Sequence, residues 1–502
     1  MGQVYLLDCT LRDGGYVNDW RFGRDTIKGF IRKIAKTGIE MCEVGFLKGD
    51  SFEEDRAVFP DFESMKSMIQ PKDKKMLYVV MLDMSAPLPK ERIPRCDGSC
   101  VDILRIIFKK DKINEAYDYC KYVQDLGYRI SVNFVGTDAY SDVEFVEGIE
   151  KFNTLNPFAM AIVDSFGLIK RKHFQRLVYL ADNNMAPGIT LGYHAHNNLQ
   201  QAFGNAESLV EMNLKRDLCI DACVFGMGRG AGNLNLELFA EYMNENYDTQ
   251  YRIEPMLEIM DEYLNDIYQK RFWGYSLPFY LSASTGCHPN YAIYLAEKDT
   301  LPVKAFNELL CSIPDDKKAK FSKENAELYY REYQENYLDD KDTLAKLVAE
   351  IGNRDVLILA PGKSLMDYKK EIQEYIEQDH PVKIALNFMG GDFEPDYIFS
   401  SNMRRYAKIQ GKTSAKCITT SNMKDCQVTD YVVNFASYAS KDAEIIDNSG
   451  VMVLKLLLAL GLKKVHVAGM DGYSANQNIN YYDNNLEYDF SNVAEKRNEL
   501  IS

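Results

Sequence analysis

Between residues 4 and 228 short apolar runs recur, each followed by an amphipathic or charged stretch. The runs are VYLLD (4–8), MCEVGFL (41–47), MLYVVML (76–82), ILRIIF (103–108), ISVNFVG (130–136), FAMAIVDS (158–165), ITLGYHAHN (189–197) and CIDACVFGMG (219–228). Runs with little polar alternation are what parallel strands covered on both faces require, and eight βα repeats predict a closed (β/α)8 TIM barrel. An open doubly wound sheet is the runner-up, but only closure needs eight repeats. Beyond residue 237 the pattern turns helical, through PMLEIMDEYLNDIYQK and a charged stretch to about residue 350, which reads as solvated helices. A β/α pattern then restarts with VLILA (356–360), VKIALNF (382–388), YIFSS (397–401), KCITT (416–420), YVVNF (431–435) and KVHVAG (464–469). The fold class is therefore α/β, with a barrel domain over 1–250, a helical connector over 251–350 and a small open α/β domain over 351–502.

Composition narrows the function. With 46% hydrophobic and 26% charged residues the chain reads as globular throughout. A formal charge of -15, without a long basic run, excludes broad nucleic-acid binding. The most apolar window, VMVLKLLLALGL (451–462), is twelve residues long and contains Lys455; it is too short for a membrane span and reads as a buried helix. The N-terminus lacks the succession of a signal peptide, so the cytoplasm is the expected location. Eleven scattered cysteines fit reduced thiols in that compartment. Cys96 with Cys100, and Cys219 with Cys223, have spacings that zinc tolerates, but neither has a matching second pair.

In a barrel of this kind the working face lies at the carboxyl ends of the strands. There the sequence places Arg12 and Asp13 after strand one, Glu43 in strand two, Asn133 on strand five, Asp164 and Ser165 at the end of strand six, His194 and His196 at the end of strand seven, and Asn233 after strand eight. Two histidines one residue apart on a strand point to the same face and can reach one ion. With the Asp13 carboxylate and the Asn233 amide they form a nitrogen and oxygen shell that suits manganese, magnesium, cobalt or zinc without choosing among them.

The segments LDCTLRDGGY, EVGF, VDSFG, GYHAHNN and GMGRGAGNLNLE together resemble the DRE-TIM metallolyase superfamily, which includes the HMG-CoA lyases and the 4-hydroxy-2-oxovalerate aldolases. The resemblance covers roughly residues 1 to 300. It implies Asp13, His194 and His196 as metal ligands with Asn233 a fourth, manganese or magnesium foremost, Arg12 as the cation that stabilises an enolate, and Glu43 as the acid that holds it. It further implies a 2-oxo acid as substrate, faced by Asn133, Asp164 and Ser165, and carbon–carbon bond chemistry beside its carbonyl. Aldolases of this superfamily carry a histidine base just after the Arg-Asp-Gly segment, where this chain has Tyr16. The acid and base are then sought among Tyr16, His288 and Tyr291, with His288 favoured because an unperturbed imidazole titrates nearest to neutrality. An acyl-CoA condensing synthase or lyase on the same barrel, and a glycosyltransferase-like protein with an idle barrel, are the alternatives. A homodimer through the helices after the barrel is also expected.

In the last third, VLILAPGKSL (356–365) reads as a strand, a Pro-Gly turn and a helix: taken alone a plain strand-to-helix turn, though its first amides can hold a phosphate. With Asn387, Ser400, Ser401, Asn402, Ser449, Gly450 and Asp471 it resembles the small Rossmann-like domain of the Campylobacter-type sialyltransferases and of the pterin-diphosphokinase-like proteins. That implies a nucleotide or nucleotide sugar bound at Gly362, Ser364, Asn387, Asn402, Ser449 and Gly450. His466, inside a predicted strand, reads as a core residue.

Overall fold

A computed structural model describes residues 2–501 apart from 50, 299, 336–337, 424–425, 427–428, 441, 443–444, 463, 475–479 and 484–493. It forms two compact units, Met1–Ala292 and Ile293–Ser502. In the first, eight strands run parallel: β1 (Val4–Asp8), β2 (Met41–Leu47), β4 (Leu77–Asp83), β5 (Ile103–Phe108), β6 (Arg129–Val135), β7 (Ala159–Asp164), β8 (Thr190–Ala195) and β9 (Leu218–Ala222). Their order is β1-β9-β8-β7-β6-β5-β4-β2, and pairing of β1 with β2 closes the barrel. A two-residue strand, β3 (Val58–Phe59), adds to β2 outside the ring and was not visible in the hydrophobic pattern. Gly45 makes room for it: at φ 146° it accompanies a register shift in β2, and a Cβ there would lie 2.1 Å from the Ala57 carbonyl oxygen.

Side-chain alternation along each strand sorts the barrel into layers. Leu7, Met41, Val79, Ile103 and Cys219 point inward at the amino-terminal end and pack with Tyr5 and Phe158 into an apolar plug. One step higher Arg105, Ser131 and Asp221 also point inward, opposite Ala161 and Gly192. The small residues are required there, since a Cβ on Gly192 would come within 2.7 Å of the Ala161 Cβ. Outward positions pack against the helices. In the helix Arg24–Ile34 the buried residues include Ile27, Phe30, Ile31 and Ile34, the spacing of one helical face. The helices from Glu254 to Thr285 belong to this same unit.

The second unit is built on six parallel strands, β10 (Val356–Leu359), β11 (Val382–Leu386), β12 (Tyr397–Ser400), β13 (Lys416–Thr420), β14 (Tyr431–Val433) and β15 (Val465–Ala468), in the order β14-β13-β12-β11-β10-β15. All six expected runs are strands. The apolar helix Ser449–Ala459 buries Met452, Val453, Leu456 and Leu457 but leaves Leu458 exposed, so only one face is covered. His466 is half-buried, not core, because β15 is an edge strand with a single neighbour; its ring rests against Tyr375 at 4.7 Å. Among the described residues no helix is long and apolar enough to cross a membrane.

Candidate metal and catalytic site

Strand alternation brings His194 inward near the end of β8, and His196 follows on the same side one residue past the strand. There His196 bridges to Asn233 on the loop after β9. Asp13 comes from the turn after β1, where its backbone N–H donates to the Cys9 carbonyl (2.7 Å). The two glycines that follow have different neighbours: a Cβ on Gly15 would lie 2.0 Å from the Trp20 ring, whereas one on Gly14 would touch Met227 at 3.0 Å. Trp20 in turn donates its indole N–H to the Arg12 carbonyl (2.7 Å), which fixes the turn that presents Arg12 and Asp13.

Asp13 Oδ2 lies 2.9 Å from His194 Nε2 and 3.5 Å from His196 Nε2. Oδ2 is also 3.4 Å from Arg12 Nη1, so the carboxylate sits among positive groups although neither oxygen accepts a well-aligned hydrogen bond. Asn233 donates through Nδ2 to the Met227 carbonyl (3.0 Å) and to Cys223 Sγ (3.4 Å), while its buried Oδ1 accepts nothing. Gly228 allows this approach, because a Cβ there would lie 2.1 Å from Asn233 Nδ2. An unsatisfied buried acceptor costs about 1–3 kcal/mol. Three such oxygens beside two imidazoles fit a divalent cation. Burial, with the charges of His194, Arg229 and Arg12, lowers His196 to about 4, so its lone pair is available. Burial also pulls His194 down, but the carboxylates of Asp13 and Asp221 prevail and hold it well above the usual imidazole range; the position calls for positive charge. For Asp13 burial pushes up, and Arg12 with the two histidines hold it well below the usual carboxylate range.

A second grouping, Cys9 with His194 and Asp221, is close enough to hold an ion but chemically less suited. Burial pushes the Cys9 thiol well up, so it stays protonated, and Asp221 is already paired with Arg105. That pairing belongs to a relay across the barrel. Arg12 Nε donates to Glu43 Oε2 (2.7 Å), Arg105 Nη1 donates to the same oxygen (3.3 Å), Arg105 Nη2 pairs with Asp221, and Asp221 Oδ2 lies 3.0 Å from His194 Nδ1. A proton on Nδ1 shared with Asp221 leaves Nε2 for the ion. Arg105 and Asp221 escaped sequence reasoning, although each is a charged residue inside an apolar run, and both are buried.

Asn133 is buried on β6, and its Oδ1 accepts from Ser131. Asp164 gives its two oxygens to the backbone N–H groups of Leu168 and Ile169 (2.8 and 2.9 Å), and Ser165 Oγ accepts from Gly136 (3.0 Å), so both shape loops at the mouth. Tyr16 and His288 meet Arg229, whose guanidinium carbon lies 4.0 Å from the Tyr16 ring centroid and whose Nη1 lies 3.2 Å from His288 Nε2. The neutrality that favoured His288 is altered here: burial, then Arg229, Lys109 and His196, lower it to about 3. Tyr291 is fully buried, and its backbone N–H donates to the His288 carbonyl (3.0 Å).

Such a pocket, beside a buried guanidinium in the carboxyl mouth of a closed barrel, suits a metal-dependent carbon–carbon lyase, and the similarities to known proteins make the chain an enzyme of that class. Residues 3–261, just over half of the chain, match the family model described as HMGL-like, and the chain belongs to that family. A 4-hydroxy-2-oxovalerate aldolase from Roseiflexus sp. (strain RS-1) is 25% identical over 265 residues, covering 52% of this chain and 74% of the relative. An oxaloacetate decarboxylase from Mycobacterium tuberculosis (strain ATCC 25618 / H37Rv) is 24% identical over 236 residues, covering 46% and 67%. The N-terminal domain of a candidate aldolase from Bacteroides vulgatus shares the fold, with a TM-score of 0.50 at 24% identity over 58% of this chain and 96% of that one.

In the second unit Gly362, Asn387, Asn402, Ser449 and Gly450 line one cavity of about 430 Å³, with Arg405, Asp447, Asp471 and Tyr481. It opens at the carboxyl ends of β10, β11, β12 and β15. Ser364 does not line it. The expectation of amides free for a phosphate is corrected here: the helix Ser364–Asp367 is a single turn, and Asp471 accepts from both the backbone N–H (2.7 Å) and the hydroxyl of Ser364. Asn387 Nδ2 donates to Ser449 Oγ (2.7 Å), and Ser400 Oγ donates to Asn387 Oδ1 (2.6 Å).

Proposed function

We propose that the barrel makes or breaks the carbon–carbon bond beside the carbonyl of a 2-oxo acid by aldol-type chemistry. A divalent ion held by Asp13, His194 and His196, with Asn233 as fourth ligand, would supply a Lewis acid for the carboxylate and keto oxygens of that acid. Arg12 gives its Nε–H to Glu43 and sets Nη1 3.4 Å from Asp13 Oδ2, which orients the guanidinium and leaves Nη2 for the oxygen that gains charge as the enolate forms. At 5% exposure Arg12 works away from bulk water, where such bonds are stronger. Proton transfer is assigned to Tyr16. Burial raises Tyr16, so its hydroxyl keeps a proton at neutral pH and relays it; His288, neutral at that pH and with Nδ1 accepting from the Asn290 N–H, stands beside it as an Nε2–H donor. Tyr291 holds the His288 segment in place.

The observation that supports this reading most is the convergence of Asp13 and two histidines on one point beside an Asn233 amide oxygen that accepts no hydrogen bond. Exchange of the pyruvate methyl protons with deuterium, followed by NMR with added manganese, tests it. The wild type is expected to exchange; Arg12→Ala is expected to slow exchange by about 100- to 1000-fold, the loss of one oxyanion donor. No exchange by the wild type with any divalent metal contradicts the reading.

For the second unit we propose nucleotide or nucleotide-sugar binding. The supporting observation is the place of the cavity: β15 returns beside β10, on the side away from β11, and ligands of open parallel sheets bind where the strand order reverses. Calorimetric titration with cytidine and uridine diphosphates checks it, with Asn387→Ala expected to weaken binding by about tenfold or more.

A further inference from the structure

Arg229 is a cation that the chemistry above does not use. It starts the loop Arg229-Gly-Ala-Gly-Asn233, in which the Gly232 N–H donates to the Arg229 carbonyl (3.1 Å). The loop is tied down: the Ala231 N–H donates to Asn198 Oδ1 (2.8 Å), and Asn198 Nδ2 donates to the Phe166 carbonyl (2.9 Å). Arg229 is thereby fixed four residues from Asn233, over Tyr16 and against His288. Among the described residues no carboxylate pairs with it, and its contacts are an aromatic face and a ring nitrogen. The Asn290 N–H donates to His288 Nδ1 (3.1 Å), which puts the proton of the neutral ring on Nε2, toward Arg229. Two donors thus meet at one point of the mouth.

The surroundings share this sign. Arg12 follows β1, Lys48 follows β2 and Lys109 follows β5, all on the rim that carries Arg229. Lys48 lies over the rings of Trp20 and Phe46 at 4.3 and 4.4 Å, with no ion pair to a described residue. Of the acids on this rim, Asp13 faces the histidines and Arg12, Glu43 pairs with Arg12, Asp164 is committed to backbone amides, Asp83 at the end of β4 accepts from the Ser85 N–H, and Asp138 lies after β6 near Asp164. Arg229, Lys48 and Lys109 thus stand at this opening with no ion pair to a described carboxylate, an arrangement that can orient an anion.

We propose that Arg229 anchors a second anionic group, a carboxylate or a phosphate, on the aldehyde that the barrel joins to or releases from the 2-oxo acid. The proposal rests on the aldol reading and names its partner class. In the joining direction the enolate carbon attacks the aldehyde carbon, a carbon–carbon bond forms, and the carbonyl π pair moves to oxygen, which takes up a proton. Arg229 acts before and during this step by holding the far end of the aldehyde through charge-assisted hydrogen bonds, with His288 Nε2–H beside it. Arg12 serves the reacting oxygen and Arg229 the second anion.

The test uses the full chain with manganese, pyruvate and three aldehydes: propionaldehyde, succinic semialdehyde and glyceraldehyde 3-phosphate. Adduct formation is measured as kcat/KM alongside deuterium exchange into pyruvate. An anionic aldehyde is expected to exceed the neutral one by about 100-fold in the wild type. Arg229→Gln is expected to reduce that ratio to a few fold, chiefly through KM, and Arg229→Lys to keep about tenfold of it. The ratio is read within each variant, so a general loss of activity cancels, and the two anionic aldehydes separate carboxylate from phosphate. Exchange without an anionic preference in the wild type overturns the role of Arg229 and leaves the 2-oxo acid reading standing, as does a preference that Arg229→Gln retains. Absence of exchange overturns both.

Discussion

At the scale of single residues, the barrel works by assigning each buried charge a partner and leaving a few oxygens without one. His194 depends on Asp221, which fixes its tautomer. We expect Asp221→Asn to weaken manganese binding by about 10- to 100-fold, the usual effect of losing a carboxylate behind a ligating histidine; titration followed by electron paramagnetic resonance measures it. His288 gives a second check. Burial lowers its imidazole first and Arg229 next, to about 3. Removing a positive neighbour favours the charged form, so Arg229→Gln is expected to move the His288 titration up toward the ordinary 6.5, as read by histidine NMR. An unmoved titration would mean that burial alone sets it. The meeting of Asp13, His194 and His196, with Asn233 beside them, was legible in the sequence because strand ends and a His-x-His spacing bring such residues to one rim. Arg105, Asp221 and Arg229 were not: their roles depend on partners far away along the chain, such as His194 for Asp221, Asp221 for Arg105 and Tyr16 for Arg229.

Among the elements, the strands were the most legible, since parallel strands covered on both faces must be apolar runs. All fourteen expected runs form strands, with ends shifted by a few residues where a loop side chain takes over the ladder. Two features were hidden. The two-residue β3 is too short to have a period and depends on Gly45, and the turn at Ser364 looked like an anion site until Asp471 was seen on it. The relay across the barrel, by contrast, couples elements. Arg105 on β5 neutralises Glu43 on β2 and Asp221 on β9. Arg105→Met would leave the buried Asp221 without its guanidinium and Glu43 with Arg12 alone, and we expect a loss of about 3–5 kcal/mol of stability in denaturant unfolding. A loss under 1 kcal/mol would mean that the interior is wet. The loop after β9 is equally constrained: Gly228→Ala would press on Asn233 and is expected to lower metal affinity with little effect on the strands, checked by metal titration beside circular dichroism.

For the molecule as a whole, the chain joins an enzyme of the HMGL-like family to a second parallel α/β unit. Fold class was readable because both halves rest on buried parallel strands, and the first site was readable because its ligands are few and lie at strand ends. The ligand of the second unit is harder to read, since Asn, Ser and Gly at strand ends serve turns as often as ligands. The account as a whole stands on Asp13, His194 and His196 closing on one ion beside Arg12. A crystal grown with manganese and measured at the manganese absorption edge tests this most directly. The predicted result is a single anomalous peak between the Asp13 carboxylate and the Nε2 atoms of His194 and His196; a peak at another place in the barrel, or none, would contradict the account.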